Sequence, residues 1–314
     1  MIYLAIDIGG TSIKGGFYEE SGKCLKGFSF PTHGDLPGTE SFAAFISNLK
    51  NEVEAFADRD SIVAAGIGCP GTIDSPEGIC NFANNLDWHE VNIREAVESI
   101  IHRPVFVTND ANAALLGEMT YGDCKKYRSA ILLTLGTGIG GGIYLNGELF
   151  DGEEGKGAEL GHMVIVKDGE PCTCGRKGCF EAYASATALI RHGQEGVARN
   201  PNSLLAKSPV TAKSIFDAAK AGDALANECV DWYVEHLGIG VLNYINIFRP
   251  QAIIFSGGVS NAGDRLLNPL REYLEKENWG IAGRWCAEPV LAIASLGDRS
   301  GRLGALALAV RKSK

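Results

Sequence analysis

Near its start the sequence reads Tyr3-Leu4-Ala5-Ile6-Asp7-Ile8-Gly9-Gly10-Thr11, an apolar run that stops at two glycines. A short apolar run bounded by glycines is typical of a buried strand followed by a tight turn. A second apolar run, over residues 13–18, begins soon after the turn. The two runs together predict a β-hairpin with a glycine-rich turn.

The same pattern returns near residue 130. An apolar run over residues 130–135 leads into Gly136-Thr137-Gly138-Ile139-Gly140-Gly141-Gly142. Residues 143–145 are the predicted return strand, and Asn146-Gly147 follows them as a strong hairpin-turn signal. Two related halves that face each other across a cleft would bring both glycine-rich turns to one ligand.

Helical and strand patterns alternate along the rest of the chain. The predicted helices cover residues 41–56, 91–101, 111–118, 182–195, 212–247 and 303–310, and further strands cover 62–67, 105–108 and 252–255. This alternation predicts an α/β architecture. The length of 314 residues favours about two domains.

The composition argues against several classes of protein. Hydrophobic residues make up 45% of the chain, enough for a large core, and the net charge of -9 is unsuited to a nucleic-acid surface. No apolar stretch reaches the roughly 18 residues of a membrane span. The N-terminus lacks the basic region of a signal peptide. We therefore expect a cytoplasmic protein without nucleic-acid or membrane partners.

The glycine-rich turns suit phosphate binding, because glycines let backbone N–H groups approach phosphate oxygens. Asp7, at the end of the first predicted strand, is a candidate to hold Mg²⁺ through water. The alternative is a plain hairpin turn with a solvated aspartate. Residues 136–141 match the dinucleotide fingerprint literally, but a strand follows where that fingerprint requires a helix. Gly257-Gly258 follows another predicted strand and is a candidate adenosine contact.

The nine cysteines fall into two groups. Those at positions 24, 69, 80, 124, 229 and 286 are scattered, whereas the others cluster in Cys172-Thr173-Cys174-Gly175-Arg176-Lys177-Gly178-Cys179, shortly after His162. One histidine with three cysteines is a common structural zinc set. The odd count and the single cluster indicate a reduced, metal-binding chain, with disulfides or idle thiols as the alternatives.

Polar residues beside these motifs are candidates for a ligand site. Asn109 and Asp110 lie between a predicted strand and a predicted helix, where α/β folds place binding groups. Each is also a good helix N-cap, which is the alternative role. Glu159 and Glu181 flank the cysteine cluster, and zinc would hold both near His162. Carboxylates, an amide and an imidazole suit a ring of hydroxyl groups.

Taken together, these residues closely resemble the ROK family of sugar kinases and sugar-responsive repressors. The resemblance covers almost the whole chain, and within the family it is strongest to bacterial glucokinases. The motifs that carry it are Asp7-Ile8-Gly9-Gly10-Thr11, Gly66-Ile67-Gly68-Cys69-Pro70-Gly71, Asn85-Leu86-Asp87-Trp88, Asn109-Asp110-Ala111-Asn112-Ala113-Ala114, Leu135-Gly136-Thr137-Gly138-Ile139-Gly140-Gly141-Gly142, Glu159-Leu160-Gly161-His162, and the cysteine cluster with Glu181.

The resemblance implies an actin-like ATPase fold of the ribonuclease H-like kind, in which two α/β domains close around sugar and ATP. A small domain would cover residues 1–117 and be closed by a C-terminal helix over residues 302–314. A large domain, residues 118–301, would carry the zinc-binding loop. The resemblance also implies a homodimer.

The resemblance further implies ATP-dependent phosphorylation of a hexose at its 6-hydroxyl, with glucose as the favoured substrate. Asp110 would be the catalytic base that takes the hydroxyl proton. The sugar would be bound by Asn109, Asp110, Glu159, His162 and Glu181. Structural Zn²⁺ would be held by His162, Cys172, Cys174 and Cys179. ATP and Mg²⁺ would be bound by Asp7, Gly9, Gly10, Thr11, Lys14, Thr137, Gly138, Gly257 and Gly258.

Several alternatives to a glucose kinase stay open. The sugar-facing residues would also serve a kinase for N-acetylmannosamine, mannose, fructose or a β-glucoside. A repressor would carry an N-terminal helix-turn-helix domain, for which a strand starting at Tyr3 leaves no room. A zinc hydrolase would need an open metal position, which four protein ligands exclude. The sequence departs from the family pattern within residues 296–301, where Arg299 replaces an acidic residue.

Overall fold

The computed structural model describes residues 1–277 and 288–314, so Cys286 lies outside the described residues. The chain divides into two compact units. The first unit consists of residues 1–128, 142–158 and 294–314, and the second of residues 129–141 and 159–293. The predicted domain boundaries after residues 117 and 301 stay a prediction.

Strands and helices alternate along the described chain, as the sequence predicts. The strands are β1 Ile2–Ile8, β2 Ser12–Glu19, β3 Cys24–Pro31, β4 Ile62–Cys69, β5 Thr72–Asp74, β6 Ile79–Ala83, β7 Trp88–Asn92, β8 Val105–Asn109, β9 Ala130–Leu135, β10 Ile139–Leu145, β11 Glu148–Phe150, β12 Ala252–Ser256 and β13 Val290–Ile293. The helices are α1 Gly38–Glu54, α2 Ile93–Ile101, α3 Asp110–Thr120, α4 Glu181–Ala184, α5 Ala186–Arg199, α6 Ala212–Lys220, α7 Ala224–Phe248, α8 Asp264–Glu277 and α9 Ser300–Lys312.

Two of the helix predictions are wrong, because the structure interrupts each of these helices. The helix predicted over residues 182–195 is broken at Ser185, whose side chain accepts a hydrogen bond from the Ala188 N–H and so starts α5. The helix predicted over 212–247 is broken at Gly222, which has a positive φ of 86°. Asp223 then caps α7 by accepting from the Ala226 N–H. In both places a capping side chain begins a new helix inside a continuous apolar pattern.

Two further predicted boundaries are wrong by a few residues. The helix predicted from residue 91 begins at Ile93, because Val91 belongs to β7 and Asn92 caps α2. The return strand predicted from residue 143 begins at Ile139. The glycine-rich turn after β9 is therefore shorter than predicted, since glycines 140–142 lie within β10.

The first unit is built on a sheet with the strand order β3-β2-β1-β4-β8. β1 pairs antiparallel with β2 and parallel with β4, and β4 pairs parallel with β8. One core cluster joins this sheet to α1 and α2 and includes the buried Phe45 and Trp88. A second cluster joins the sheet to α9 through Leu303 and Leu306. The antiparallel sheet β5-β6-β7 belongs to the same unit.

Helix α1 shows why these segments become helices that face a core. Its buried residues Phe45, Leu49 and Val53 recur at a spacing of four, so they form one apolar stripe. The stripe packs into the core cluster that contains Trp88. The Trp88 indole N–H donates to the Ser41 hydroxyl at 2.9 Å, which satisfies the polar atom of this buried ring.

The remaining sheet has the strand order β11-β10-β9-β12-β13. β12 pairs parallel with both β9 and β13. β9 and β12 are apolar and almost wholly buried, as expected for parallel strands that are covered on both faces. α7 packs with α5, α6 and α8 in the second unit. Among the described helices, none combines the length and the apolar character that a membrane crossing requires.

In the first unit, α9 packs against α3 and β4 with very close backbones. A Cβ atom on Gly304 would overlap the carbonyl oxygen of Ala113 in α3. A Cβ atom on Gly66 in β4 would overlap the carbonyl oxygen of Ala305 in α9. Glycine is required at both places because any larger residue would separate the backbones. The position of α3, whose first residue is Asp110, therefore depends on α9.

We expect Gly66→Ala to lower the free energy of unfolding by about 1–3 kcal/mol or more, because overpacking forces the backbone of α9 to move. Urea unfolding of the purified protein measures this change. Gly27→Ala in β3 is a matched strand control, since the nearest atom to the added Cβ would be Cys24 Sγ at 3.7 Å. Equal stability of the two variants would contradict the close packing of β4 and α9.

Candidate active site

In the first unit, three parallel strands end at the same edge of the sheet. Asp7 pairs with Gly68 in the register of β1 and β4, and Gly68 pairs with Thr108 in the register of β4 and β8. The carboxyl ends of parallel strands are where α/β folds bind ligands. A Cβ on Gly68 would lie 3.9 Å from the Asp7 carboxylate and 3.7 Å from the Cα atom of Asp110. The strand register therefore brings these two predicted site residues together.

Asn109 and Asp110 stand at the start of α3. The Ala111 N–H donates to Asn109 Oδ1 and to Asp110 Oδ1, each at 2.9 Å. Asn109 is thus the N-cap, and its Nδ2 also donates to the Gly71 carbonyl oxygen at 3.1 Å. Burial raises the pKa of the Asp110 carboxyl above its ordinary value. A raised pKa makes the ionised carboxylate a stronger proton acceptor than an exposed aspartate.

Asp7 occupies a strongly perturbed electrostatic environment. Burial raises its pKa to about 6, and the negative charge of Asp110 acts in the same direction. The positive charges of Arg302 and Lys14 oppose this shift. A carboxylate whose ionised form is penalised in this way would be stabilised by a bound cation. Asp7 therefore has the electrostatic character of a cation-binding residue.

Hydrogen bonds fix the start of the turn after β1, and the next two residues are exposed. The Gly9 N–H donates to the Ser12 carbonyl oxygen at 3.0 Å, and the buried Thr32 hydroxyl donates to the Gly9 carbonyl oxygen at 2.7 Å. Gly10 and Thr11 are exposed. The Thr11 carbonyl oxygen accepts from the Thr32 N–H at 3.2 Å, so the turn exposes both residues while its shape is already held.

Lys14 extends from β2 of the same unit. Its Nζ lies 3.8 Å from Asp298 Oδ2, and Arg302 Nη2 lies at the same distance from that oxygen. Asp298 is largely exposed, so these ion pairs are weak and open to exchange with another anion. Lys14 is therefore placed where a phosphate would compete with Asp298.

The second unit brings His162, Cys172, Cys174 and Cys179 together, with their ligand atoms all within 4.8 Å of one another. Cys172 Sγ lies 3.6 Å from His162 Nδ1, and Cys174 Sγ lies 3.7 Å from Cys179 Sγ. Tetrahedral zinc, bonded at about 2.3 Å to sulfur and about 2.1 Å to nitrogen, would separate such pairs by about 3.6 and 3.8 Å. The donor set and its dimensions therefore fit structural zinc.

The pKa values of two neighbouring thiols in this cluster, Cys174 and Cys179, are shifted in opposite directions. Burial raises the pKa of the Cys179 thiol to about 12. The backbone N–H of Arg176 lowers the pKa of the exposed Cys174 thiol. Because a metal binds the thiolate form, an ion in this site would have to displace the Cys179 proton. Metal binding here would therefore release protons and weaken at low pH.

Glu181 connects the loop that carries the three clustered cysteines to the turn after β9. Its Oε2 accepts a hydrogen bond from the Ile139 N–H at 2.9 Å, and its Oε1 accepts from the Thr173 hydroxyl at 3.2 Å. The Thr187 hydroxyl donates to the Thr137 carbonyl oxygen at 2.7 Å. The segment that follows the cysteine cluster therefore holds the glycine-rich turn in place.

The other predicted nucleotide contacts lie at the same sheet edge as this turn. Ser256 of β12 pairs with Thr134 of β9, so both strands end side by side. Gly257 has a φ of 84° and lies so close to β9 that an added Cβ would be 2.6 Å from the Leu135 carbonyl oxygen. A Cβ on Gly258 would have no neighbour within 4 Å. The backbone at Gly258 is therefore open to a ligand.

Glu159 and His162 lie at the two ends of one short turn. The His162 N–H donates to the Glu159 carbonyl oxygen at 3.1 Å. The buried Tyr244 hydroxyl donates to the Leu160 carbonyl oxygen at 2.6 Å and anchors the turn to α7. Glu159 is exposed, whereas His162 is half-buried. The turn thus carries a carboxylate close to the imidazole of the cysteine and histidine cluster.

Sequence reasoning missed two acidic residues near the first unit's strand ends. Asp298 lies beside Lys14, and Glu118 is fully buried within α3. The segment that departs from the expected pattern at Arg299 lies in this region, and Arg299 itself is exposed. A signal for Glu118 was available, because a charged residue among the apolar residues of α3 requires a buried partner.

The chain matches the ROK family over residues 3–312. It is 42% identical over 275 residues to a glucokinase from Thermotoga maritima, and the match covers 86% of each chain. It is 36% identical over 312 residues to a glucokinase from Halalkalibacterium halodurans, covering 96% of this chain and 93% of that one. The protein belongs to the ROK family, and the family predicted from the sequence motifs is confirmed.

The fold agrees with that assignment. The structure is similar to the crystal structure of a ROK family glucokinase from Streptomyces griseus in complex with glucose and AMPPNP, with a TM-score of 0.81 and 34% sequence identity. The match covers 99% of this chain and 100% of that chain. The protein has the actin-like ATPase fold of the ROK sugar kinases, so the predicted fold class is confirmed.

The raised pKa of Asp7 predicts how stability depends on pH. Because the pKa is about 6 in the folded state and 3.8 as the reference value, the folded state binds more protons between these values. The contribution of Asp7 to the free energy of unfolding should therefore fall as pH rises from about 4 to about 6. Without added Mg²⁺, we expect Asp7→Asn to stabilise the protein at pH 7 by on the order of 2 kcal/mol relative to pH 4.

Urea unfolding of both proteins across this pH range measures the effect. Asp35→Asn is the control, because Asp35 is an exposed aspartate of the same unit. A stability difference between wild type and Asp7→Asn that is constant from pH 4 to pH 7 would contradict the shifted pKa.

Proposed function

We propose that this protein transfers the γ-phosphoryl group of ATP to the 6-hydroxyl of glucose. The observation that carries the proposal is the pair Asp7 and Asp110, which lie on either side of Gly68 at one edge of the parallel sheet. Phosphoryl transfer to a hydroxyl needs a base for the proton and a group that holds a cation. The glucokinase relatives, at 36–42% identity, support glucose as the substrate.

Asp110 is the proposed base. As the 6-hydroxyl oxygen bonds to the γ-phosphorus, the bond from that phosphorus to the bridging oxygen breaks and ADP leaves with its electron pair. The hydroxyl proton passes to the Asp110 carboxylate. The raised pKa supports this role, because it favours acceptance of a proton. Its position at the start of α3 fixes the direction of the carboxylate, and positioning is a main source of rate in such transfers.

Asp7 and Lys14 are the proposed charged contacts for MgATP. Bound Mg²⁺ would neutralise the negative charge of the phosphates. Asp7 would hold that ion through water, and Lys14 would exchange Asp298 for a phosphate oxygen. Uncharged contacts to ATP would come from Gly9, Gly10, Thr11, Thr137, Gly138, Gly257 and Gly258.

Four residues besides Asp110 are proposed to bind the sugar hydroxyls. The Asn109 Nδ2 group donates one hydrogen to the Gly71 carbonyl oxygen, and its second hydrogen, beside the Asp110 carboxylate, could be shared with a sugar hydroxyl. Glu159 is an exposed carboxylate, and Glu181 keeps acceptor capacity on Oε1 beside its contact with Thr173. The other imidazole nitrogen of His162, Nε2, would face the sugar if Nδ1 binds zinc.

Zinc is the proposed structural ion of the second unit. It would be held by His162, Cys172, Cys174 and Cys179. The ion would supply no chemistry to the transfer, because four protein ligands leave no position for water. It would instead orient the His162 ring and stiffen the loop that Glu181 joins to the turn after β9. We also expect a homodimer in the cytoplasm, as the family membership favours.

Coupled ADP release with MgATP tests the proposed reaction. The panel contains glucose, mannose, fructose, N-acetylmannosamine and a β-glucoside. Selective turnover of glucose would support the proposal, whereas selective turnover of another sugar would keep the mechanism and replace the substrate. No turnover with any sugar, together with specific binding of operator DNA in a gel shift, would favour the repressor function instead.

In the same assay we expect Asp110→Asn to reduce kcat by about 10²–10⁴-fold, because general-base assistance is typically worth this much. The asparagine Oδ1 can still accept from the Ala111 N–H, so the fold should be kept. Asp35→Asn, a change of the same chemistry at an exposed position, should retain wild-type turnover. Near-normal kcat in Asp110→Asn would exclude Asp110 as the base.

Metal analysis of the purified protein tests the zinc site. We expect about one zinc per chain in the wild type and almost none in Cys174→Ser, because serine does not supply a thiolate. The KM for glucose should rise on the order of tenfold, since lost support of a site commonly costs this much. Cys24→Ser, at an exposed cysteine outside the cluster, is the control. Full zinc occupancy in Cys174→Ser would show that the ligand set is wrong.

A further inference from the structure

Glu118 is a fully buried carboxylate in the last turn of α3. Its Oε2 accepts hydrogen bonds from the Ser295 N–H at 3.1 Å and from the Ser295 hydroxyl at 2.8 Å. Its Oε1 accepts from the Leu296 N–H at 2.8 Å and from the Ser300 hydroxyl at 3.0 Å. Both oxygens are therefore fully engaged by one short segment, residues 295–300, that leads into α9.

The hydrogen-bonding pattern requires a carboxylate. Two of the four donors are backbone N–H groups, one on each oxygen, and neither can reverse its role. A buried charge costs stability unless it is hydrogen-bonded, and here each oxygen accepts from a backbone N–H, while the Ser300 hydroxyl shares its one proton between Oε1 and the Gly297 carbonyl oxygen. A hydrophobic residue would fill the same space but would leave the Ser295 and Leu296 N–H groups without acceptors. Glu118 thus determines the conformation of this segment and not only its packing.

The segment held by Glu118 carries the groups that surround Asp7. Asp298 lies within it and pairs with Lys14 at 3.8 Å. Gly301 follows it directly, and an added Cβ at Gly301 would be 2.5 Å from the Asp7 carboxylate. Any shift of residues 295–301 would therefore change the space and the charge next to Asp7.

Glu118 also connects this segment to the proposed base. Asp110 is the first residue of α3, and Glu118 lies eight residues later on the same helix, about 12 Å along its axis. The two ends of such a helix keep a nearly constant separation, because each turn is hydrogen-bonded to the next. The distance between the Asp110 carboxylate and the surroundings of Asp7 is thus set through Glu118.

We propose that Glu118 is a positioning residue for the MgATP side of the reaction. It holds residues 295–301 against α3, so that Asp298, Gly301 and Lys14 keep the arrangement around Asp7 that accepts Mg²⁺ and phosphate. This inference rests on the proposed kinase function. It goes beyond that function because it assigns control of nucleotide affinity to a buried residue that would not contact the nucleotide.

The test uses Ser295→Ala/Ser300→Ala, which removes two hydroxyl donors to Glu118 and keeps both backbone donors. We expect the KM for MgATP and the Mg²⁺ concentration for half-maximal rate to rise on the order of tenfold, because small displacements in a site have large effects. The KM for glucose should stay within about twofold, since α3 and Asp110 are not displaced, whereas kcat should fall because the phosphates move relative to Asp110. Steady-state ADP release with varied MgATP, Mg²⁺ and glucose measures all four quantities.

Ser203→Ala is the matched control. Ser203 is buried like Ser300, and its hydroxyl donates to a carboxylate, Asp223, at 2.8 Å, but Asp223 caps a helix of the second unit. Loss of a hydroxyl–carboxylate bond there should lower the melting temperature without changing the KM for MgATP. The double serine variant must differ from this control in nucleotide affinity if Glu118 positions the site.

Glu118→Gln is the second variant. In either orientation of the amide, its NH₂ group would face a backbone N–H of Ser295 or Leu296, so the segment should move further than in the serine variant. We expect a larger rise in the KM for MgATP, and a variant that does not fold leaves the serine variant to decide. An unchanged KM for MgATP in a folded double serine variant would overturn the inference. No hexose turnover by the wild type would instead overturn the proposed function.

Discussion

The parallel register of β1, β4 and β8 is the constraint on which the first unit's candidate site depends. Parallel strands end at one edge of a sheet, and here that edge carries Asp7, Gly68 and Asn109. A slip of one residue would turn every side chain to the opposite face, so the buried core enforces the register. The two carboxylates are therefore held close by the hydrophobic core, although burial and, to a lesser extent, the charge of Asp110 raise the pKa of Asp7.

Helix α9 completes this arrangement from the distant end of the chain. Glycines at positions 66 and 304 allow its backbone to touch β4 and α3. Glu118 then holds the segment before α9 with both carboxylate oxygens. Close packing and a buried charge act on the same contact, so the contact has one geometry rather than several. The surroundings of Asp7 are therefore fixed by residues that are not proposed to contact a ligand.

The second unit organises its polar residues by a different means. Its glycine-rich turns follow the parallel strands β9 and β12, as in the first unit, but its acidic and imidazole groups lie on a short turn and at the start of α4, on either side of the cysteine loop. Loops need separate restraints to hold a side chain in one direction. The dimensions of the cysteine and histidine cluster fit a metal ion, and Glu181 joins that cluster to the turn after β9. A metal ion bound by this cluster would restrain the loop, as the strand register restrains Asp7.

The sequence by itself determined the local elements and the family. Apolar runs that stop at glycines marked β1 and β9, and the cysteine spacing with His162 marked the metal set. It did not determine the helix breaks at Ser185 and Gly222, where capping overrides a continuous apolar pattern. Only the tertiary structure decided the partners of Glu118 and the approach of Asp7 to Asp110. Those contacts join residues far apart in the chain, and their distances depend on packing that no local spacing encodes.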